Sequence, residues 1–240
     1  MARGGTAATA DHERQREQLV DAALRVVADG GLGELTVRRI AEAAGTSTMS
    51  VYSRFGGRDG MLEAVYRRAF VILGDAFRAG ATVTTTGSAT AAKGTRAGRS
   101  GDPEGGPLSR LLGLAFAYRA FALASPPRYA FMFGRPPVDF EPTEELRAEV
   151  LQGAFGPLIE AVRDASGHEG AQAVRMAYFV WGTMHGLVGL ELADVLRHPL
   201  PGWDVAAPGD EGAGERMYAA GVRAMLRGLG LIPVGDEAGS

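Results

Sequence analysis

The sequence predicts an all-α protein in which an N-terminal three-helix head of the helix-turn-helix type is joined by a long connector helix to a second helical domain. Apolar residues recur at three- and four-residue steps over most of the chain, and no stretch alternates apolar and polar residues for long enough to form a strand. We expect this division: a disordered tail at 1–13, the head at 14–57, the connector at 58–80, a flexible insert at 81–107, the helical domain at 108–230 and a tail at 231–240.

The first helix of the head has an apolar face and a clear stop signal. Its apolar residues recur at helical spacing: Leu19, Ala22, Ala23, Val26 and Val27. Gly30 and Gly31 then end the pattern, since glycine readily closes a helix.

Two short helical patterns follow within Thr36 to Phe55, TVRRIAEAAGTSTMSVYSRF. Thr36 is a good N-cap for the first of them, Gly45 ends it, and Ser47 is a fresh N-cap for a second helix that starts at Thr48. The apolar faces consist of Val37, Ile40, Ala41 and Ala44 on the first helix and Val51 and Phe55 on the second. This is the layout of a helix-turn-helix DNA reader, although a plain helical hairpin in a core has the same spacing.

The outward face of the second helix has an unusual composition. A solvated helix face more usually carries Glu, Lys or Arg, whereas the residues here are small, polar or aromatic: Thr48, Met49, Ser50, Tyr52 and Ser53. Such side chains suit close approach to base edges, thymine methyl groups and phosphate oxygens.

A connector helix and an insert separate the head from the second domain. Apolar residues recur at helical steps from Arg58 to Arg78, which predicts one long helix. Ala81 to Pro107 is rich in Gly, Thr, Ser and Ala and contains the only lysine, Lys93. We interpret it as a flexible insert, because such a composition cannot bury enough apolar surface to offset chain entropy, with a DNA-contacting arm as the alternative.

The second domain should be a set of helices separated by Pro- and Gly-rich breaks. The predicted helical segments are Leu108–Ala124, a short aromatic piece Arg128–Phe133, Thr143–Ala165, His168–Leu196 and Gly212–Gly228. A stripe of small residues runs down one face of the fourth segment: Gly182, Gly186, Gly189 and Ala193. Because glycine destabilises a helix, this stripe suggests a close helix neighbour.

Aromatic and apolar residues of this domain are candidates for a small-molecule site, which is usually apolar with a few polar groups. The candidate ligand-binding residues are Phe116, Phe121, Phe131, Met132, Tyr178, Trp181, Met184 and His185. Core packing explains each of them as well, and for His185 structural packing and ligand contact both stay open. The four histidines show no metal spacing with carboxylates, so we expect neither a metal nor another cofactor.

Composition argues against several other protein classes. The chain has no cysteine, which excludes disulfides, and no apolar run approaches the roughly 20 residues of a membrane span, so we expect a cytoplasmic protein. No phosphate loop, nucleophile elbow or cysteine nucleophile is present, which leaves an enzyme built around His185 and Glu191 as a remote alternative. The net charge is −3, but the 80 residues from Met1 to Gly80 hold 11 Arg against 10 acidic residues, so DNA binding would depend on locally placed arginines.

The helix-turn-helix segment resembles the TetR-type transcriptional regulators, whose head reads much like T-x-x-x-I-A-x-x-A-G-V-S-x-x-T-L-Y-x-H-F. The matching residues are Thr36, Ile40, Ala41, Ala44, Gly45, Ser47, Tyr52 and Phe55. The resemblance runs from near Arg14 to about Phe77, with departures at Thr46, Met49, Val51, Arg54 and Arg58. It implies that Arg38 reaches a base edge while Thr48, Met49 and Ser50 read the groove. It also implies phosphate contacts by Thr36, Ser47, Tyr52, Arg54 and Arg58, and Ser53 lies on the same outward face.

The resemblance extends to the second domain. The W-G-x-x-H-G sequence from Trp181 to Gly186 is similar to a TetR branch with a Trp-His-Gly signature. The family's four-helix dimer contact implies an interface formed by Gly182, Gly186, Gly189, Ala193, Tyr218, Val222 and Met225, although internal packing explains these residues too. We therefore expect a homodimer that binds a pseudo-palindromic double-stranded DNA operator and is released by a small hydrophobic or aromatic ligand. An activator, a regulator that responds to a protein partner and a ligandless DNA-binding module remain alternatives.

Overall fold

A computed structural model describes residues 4–82, 106–134, 140–195 and 212–232. These ranges contain helices and connecting turns and no strand, which confirms the all-α prediction for them. The α-helices of the described residues are α1 (Gly4–Gly30), α2 (Val37–Ala43), α3 (Thr48–Phe55), α4 (Arg58–Thr82), α5 (Pro107–Ala124), α6 (Pro126–Phe133), α7 (Glu144–Ser166), α8 (Gly170–Leu192) and α9 (Ala213–Gly228). The predictions for 83–105 of the insert, with Lys93, for His198 and for 233–240 of the tail lie outside the described residues.

Most helix ends lie close to the predicted ones because they are set by local signals. Ser125 caps α6, its side chain accepting a hydrogen bond from the backbone N–H of Arg128, and proline occupies the first turn. The left-handed Gly167, with φ of 68°, follows the end of α7.

The first helix is longer than the sequence predicted. We expected a disordered tail at 1–13, but α1 begins at Gly4. The physical reason is composition, since Ala7, Ala8, Ala10 and Glu13 of this stretch are good helix formers and can extend a helix anchored further along by its apolar face.

The chain divides into two compact units. The first unit consists of Met1–Leu73 and Ala124–Ala154, and the second consists of Gly74–Leu123 and Phe155–Ser240. This division differs from the predicted one, because it cuts through α4 and α7 and assigns α6 to the unit that contains the helix-turn-helix.

Aromatic packing explains why α6 joins the first unit. The Tyr66 ring of α4 lies 5.8 Å from the Phe131 ring of α6 and 5.9 Å from the Phe140 ring, centroid to centroid. The buried Tyr66 hydroxyl also donates to the carbonyl oxygen of Met132, 3.4 Å away. Such ring pairs stabilise a core beyond the area that they bury. They make a segment that follows α5 in sequence part of the unit that starts with α1.

The second unit is built on helices that approach closely. A Cβ atom added at Gly221 of α9 would lie 2.7 Å from the end of the Leu187 side chain on α8, so these two helices pack closely at this point. In its interior the ring of Phe77 stacks on that of the fully buried Tyr118 at 5.9 Å. The same Phe77 ring contacts Phe155 of α7 at 5.7 Å, so α4, α5 and α7 share one core.

Candidate functional site

The turn between α2 and α3 has the geometry of a helix closed by glycine. Gly45 takes a left-handed conformation, with φ of 65°, as predicted. The backbone N–H of Gly45 donates to the carbonyl oxygen of Glu42 at 3.1 Å, and that of Thr46 donates to Ala41 at 2.9 Å. This pair of bonds is the Schellman motif, which satisfies the last carbonyl groups of α2 and fixes the direction in which the chain enters α3.

Hydroxyl groups cluster at the start of α3. The hydroxyl of Thr46 donates to Oγ of Ser50 at 2.8 Å, and Oγ of Ser47 lies 3.3 Å from the same atom. Ser47 occupies the N-cap position with an extended backbone, although no side-chain cap bond forms. Ser50 is half-buried and is drawn into this cluster, so it faces outward less than the sequence predicted.

The remaining predicted reading residues of α3 do face outward. Val51 is completely buried beneath them, as expected from its spacing. Met49 is 71% exposed and Tyr52 is 51% exposed, and Thr48 and Ser53 are exposed as well. The exposed face of α3 therefore presents a thioether, a phenol and two hydroxyl groups, with no carboxylate among them.

Arg54 has intramolecular partners that the sequence did not predict. We expected a phosphate contact, but the side chain is partly buried and turns back along the head. Its guanidinium donates to Oε1 of Gln15 on α1, to the carbonyl oxygen of Ser50 at 3.4 Å and to Oγ of Ser53 at 3.3 Å. The physical reason is that a long cation at the end of α3 can reach an amide on α1, so Arg54 joins the two helices.

A cleft lies beside Arg54 between α1 and the turn that precedes α3. It has a volume of about 420 Å³ and no carboxylate in its lining, which consists of Gln15, Gln18, Leu19, Ala44, Gly45, Thr46, Ser50 and Arg54. On this side the start of α3 adjoins hydrogen-bonding groups, and none of the residues that line the cleft is negatively charged.

The predicted base reader on α2 is accessible. The Arg38 side chain is 84% exposed, and its Nε donates to Oε1 of Glu42 at 3.0 Å. An exposed pair of this kind contributes little to stability, so Arg38 can exchange Glu42 for another acceptor at small cost. Thr36 is the N-cap of α2, its side chain accepting from the backbone N–H of Arg39 at 3.3 Å, and Arg58 is half-buried at the start of α4.

In the second unit, three of the aromatic side chains form a hydrogen-bonded cluster. The indole N–H of Trp181 donates to the hydroxyl oxygen of Tyr118 at 3.2 Å, and that oxygen lies 3.0 Å from Nδ1 of His185. All three groups are satisfied when Tyr118 donates to Nδ1, which leaves the His185 proton on Nε2. Burial lowers the pKa of His185, which favours this neutral ring.

The predicted ligand-binding residues do not form one group. Trp181 and His185 lie side by side, while Met184 and Phe121 are buried and Phe116 packs on Tyr218. Three of the eight residues are placed elsewhere: Phe131 and Met132 belong to the first unit, and Tyr178 is 59% exposed. Tyr118, another aromatic residue that the sequence offers for this cavity, joins Trp181 and His185 through hydrogen bonds to partners more than 60 positions away.

The predicted dimer residues also divide into two groups. Gly182, Gly186, Gly189 and Ala193 are exposed, and a Cβ atom at any of the three glycines would meet no atom of the described chain within 4 Å. Tyr218 and Val222 are each only 1% exposed, and the Tyr218 hydroxyl donates to the carbonyl oxygen of Ala115 at 2.6 Å. They are core residues of their own chain, which corrects the prediction, and Met225 is half-buried beside them.

An ion pair that the sequence did not predict joins α5 to α8. Arg119 donates through Nε and Nη2 to the two carboxylate oxygens of Glu191 at 2.9 Å and 2.7 Å, and both side chains are largely buried. The hydrogen bond with Glu191 raises the pKa of Arg119. Glu191 is therefore engaged with Arg119, which leaves the remote enzyme alternative without its carboxylate. The sequence holds one hint of this ion pair: Arg119 and Glu191 are each a charged residue on an otherwise apolar helix face.

Comparison with known proteins covers both the head and the second domain. The family model for bacterial regulatory proteins of the tetR family matches residues 19–65, and the model for the tetracyclin repressor-like C-terminal domain matches residues 111–208. An uncharacterized HTH-type transcriptional regulator of Mycobacterium tuberculosis is 30% identical over 181 residues, covering 75% of this chain and 72% of the relative. The chain belongs to the TetR family.

Other relatives are similar over part of their length or in fold alone. The HTH-type transcriptional regulator BetI 1 of Chromohalobacter salexigens is 44% identical over 62 residues, which cover 26% of this chain and only 31% of that relative. A TetR-family regulator of Streptomyces coelicolor has a TM-score of 0.57 at 22% identity, over 90% of this chain and 80% of that one. A protein of unknown function from Rhodococcus sp. RHA1 has a TM-score of 0.63 at 20% identity, over 89% and 94%.

Membership of the TetR family makes the protein a DNA-binding transcriptional regulator. TetR regulators bind DNA operators and act as dimers, and the family consists of regulators rather than enzymes. Of the helices in the described ranges, none combines the length and the apolar character that a membrane crossing requires.

Proposed function

We propose that this TetR-family protein is a homodimeric repressor that binds a pseudo-palindromic operator and is released by a small hydrophobic or aromatic ligand. The observation that carries the DNA-binding part is the exposed face of α3. Met49 and Tyr52 are large side chains left largely in water, and the hydroxyls of Thr48 and Ser53 are exposed beside them. A face of this composition gains most from a partner that offers both apolar and hydrogen-bonding groups, as a major groove does.

The residues of the head divide by role in this proposal. Arg38, Thr48 and Met49 reach base edges, and the side chains that contact phosphates are Thr36, Ser47, Tyr52, Ser53 and Arg58. Ser50 and Arg54 act from behind α3, because their hydrogen bonds tie it to the preceding turn and to α1. A reading helix held from two sides loses less entropy when it binds, which favours affinity.

The dimer contact in this proposal is the glycine row of α8, which consists of Gly182, Gly186 and Gly189. Tyr178, Phe179 and Leu190 are exposed at its border by 59%, 56% and 44%. A second copy that packs on this row would cover these side chains and let the two helix backbones approach closely. Two α3 helices must then lie about 34–36 Å apart to enter successive turns of one face of the operator.

The ligand-binding part rests on the polar cluster within the apolar second unit. A few hydrogen-bonding groups among aromatic side chains are the usual composition of a small-molecule site, and the cluster of Tyr118, Trp181 and His185 has it. The Trp181 to Gly186 sequence supports assignment to the Trp-His-Gly branch of the family. A ligand that binds the operator-free state more tightly lowers operator affinity by the ratio of its two affinities.

In this proposal each segment of the chain has its own role. The head at 14–57 binds DNA, and the domain from 108 to 230 binds the ligand and the second copy. The connector at 58–80 transmits the conformational change from the ligand-binding domain to the head. By reciprocity, a ligand that releases DNA must itself bind more weakly to the operator-bound protein.

The test is fluorescence-anisotropy binding to DNA from upstream of the protein's own gene, with a scrambled duplex of equal length, over a salt series. We expect selective binding by the wild-type protein and its loss in Tyr52→Ala, while Tyr52→Phe separates the hydroxyl from the ring. Both substitutions are on the exposed face, so circular dichroism should show an unchanged fold. Equal, steeply salt-dependent binding of both duplexes by the wild-type protein would contradict the proposal for this DNA.

A further inference from the structure

Met49 is the most exposed large hydrophobic side chain of the described residues, at 71%. It lies one residue inside the start of α3, between the exposed Thr48 and the half-buried Ser50. At this exposure it contributes little to the core of its own chain. The apolar surface is therefore free to gain stability only by contact with a partner.

The neighbours of Met49 narrow down what that partner can be. The side of α3 that faces the preceding turn and α1 is occupied, because Ser50 accepts a hydrogen bond from Thr46 and Arg54 donates one to Gln15. The outer face that remains has Tyr52 three residues and Ser53 four residues after Met49, so these side chains share one surface of the helix. That surface has one flexible apolar group with hydroxyl groups beside it.

The chemistry of the thioether decides what Met49 can recognise. Its sulfur has no hydrogen to donate and is a weak acceptor, so it cannot read the donor and acceptor pattern of a base pair. The apolar group that the major groove of unmodified B-DNA presents is the C5-methyl group of thymine. A long, unbranched and polarisable side chain is well suited to pack on such a methyl group.

We infer that Met49 is a specificity-determining residue that reads the C5-methyl group of a thymine in each half of the operator. This inference rests on the proposed function, in which α3 enters the major groove. Burial of one methyl group corresponds to about a fourfold change in affinity, and a symmetric dimer reads two of them, so we expect about fifteenfold for a whole operator.

The test removes only the methyl group. An operator is first selected by the wild-type protein from a randomised duplex library, and each thymine is then replaced, in both halves, by deoxyuridine, which keeps the same base-pairing groups. We expect one thymine position at which this change weakens the wild-type protein about fifteenfold and leaves Met49→Ala unaffected. Met49→Leu should retain the sensitivity, because it keeps an apolar side chain of similar size.

Two further arms complete the design. At the sensitive position, the wild-type protein should bind an operator with 5-methylcytosine more tightly than one with cytosine, because 5-methylcytosine carries the same methyl group as thymine. Met49→Ala should bind the two operators equally. Val71→Ala is the matched control, because Val71 is an exposed apolar residue of α4 in the same unit, at 47%, and should leave every deoxyuridine effect unchanged.

The outcomes separate the inference from the proposed function. If the wild-type protein selects an operator but every deoxyuridine effect is equal in wild type and Met49→Ala, the inference is overturned and the proposed function stands. If the wild-type protein selects no sequence from the library, the proposed function fails and the inference fails with it.

Discussion

Exposed apolar side chains lie on both α3 and α8, but the residues around them differ. On α3, Met49 and Tyr52 are exposed next to hydroxyl groups, and the exposed Arg38 is on the preceding helix. On α8, Tyr178 and Leu190 border a row of glycines, and between these two residues the helix has no Asp, Glu, Lys or Arg.

The difference indicates two kinds of partner. A face of mixed hydroxyl, cationic and apolar groups matches a surface that is itself mixed and negatively charged, as DNA is. A row of glycines with apolar borders and no charge suits the close approach of another helix, and a symmetric dimer can supply that helix from the same surface. Exposure alone would not distinguish the two faces, but the residues around the exposed side chains do.

Gly186→Leu on α8 should have the largest effect of the substitutions that test these two partners. If the glycine row is the dimer contact, the two new side chains should weaken the dimer by about 2–6 kcal/mol, since overpacking typically costs about 1–3 kcal/mol per site. The mass in solution, measured by analytical ultracentrifugation over a concentration series, should fall to that of a monomer.

Gly153→Leu is the matched control for this experiment. Gly153 is also an exposed helical glycine with no atom of the described chain within 4 Å of an added Cβ, but it is on α7. Its replacement should leave the mass unchanged. An unchanged mass for Gly186→Leu as well would remove α8 from the interface and leave its exposed apolar residues without an explanation.

The next largest effect concerns the cations near α3. Arg38→Ala should cost about 1–3 kcal/mol on the operator and relax the preference at one base pair, because a base contact carries sequence information. Arg58→Ala should weaken operator and random DNA alike, since a phosphate contact carries none. The measurement is a competition titration with operator variants, and equal losses on operator and random DNA for Arg38→Ala would contradict its base-reading role.

The two faces were not equally predictable from the sequence. The helix-turn-helix depends on local signals. Thr36 and Ser47 occupy the N-cap positions that the sequence predicts for α2 and α3, and Gly45 takes the left-handed conformation that ends α2. The inward turn of Arg54 was missed, because its partner Gln15 is 39 positions away and no local pattern connects them.

In the second unit the sequence did contain a signal that family resemblance outweighed. Tyr218, Val222 and Leu226 recur every four residues, which is the pattern of a buried helix face, and all three are buried in their own chain. The glycine row of α8 was found correctly as a stripe, but only the structure distinguishes open space from internal packing around it. The placement of α6 with the head depends on Tyr66 and Phe131, a tertiary contact that helical periodicity cannot reveal.

The smallest expected effect tests the other side of α8, where His185 meets Tyr118. Burial lowers the pKa of His185 below its ordinary value of 6.5, so the unfolded chain binds more protons than the folded one between the two pKa values. The free energy of unfolding should therefore decrease as the pH falls below about 6.5 and level off below the folded pKa. Protonation also gives Nδ1 a hydrogen, which would reverse its hydrogen bond with the Tyr118 hydroxyl.

Urea denaturation at about pH 7.5 and about pH 5.5 measures this contribution, because most carboxylates stay ionised over that range. His185→Gln should reduce the difference between the two pH values, whereas His12→Gln, which changes an exposed histidine of α1, should not. An equal pH dependence in wild type and His185→Gln would mean that the imidazole titrates alike in the folded and unfolded chains. The buried side of α8 would then be a packing surface without a polar group sensitive to its surroundings, and the ligand site would have to be sought away from His185.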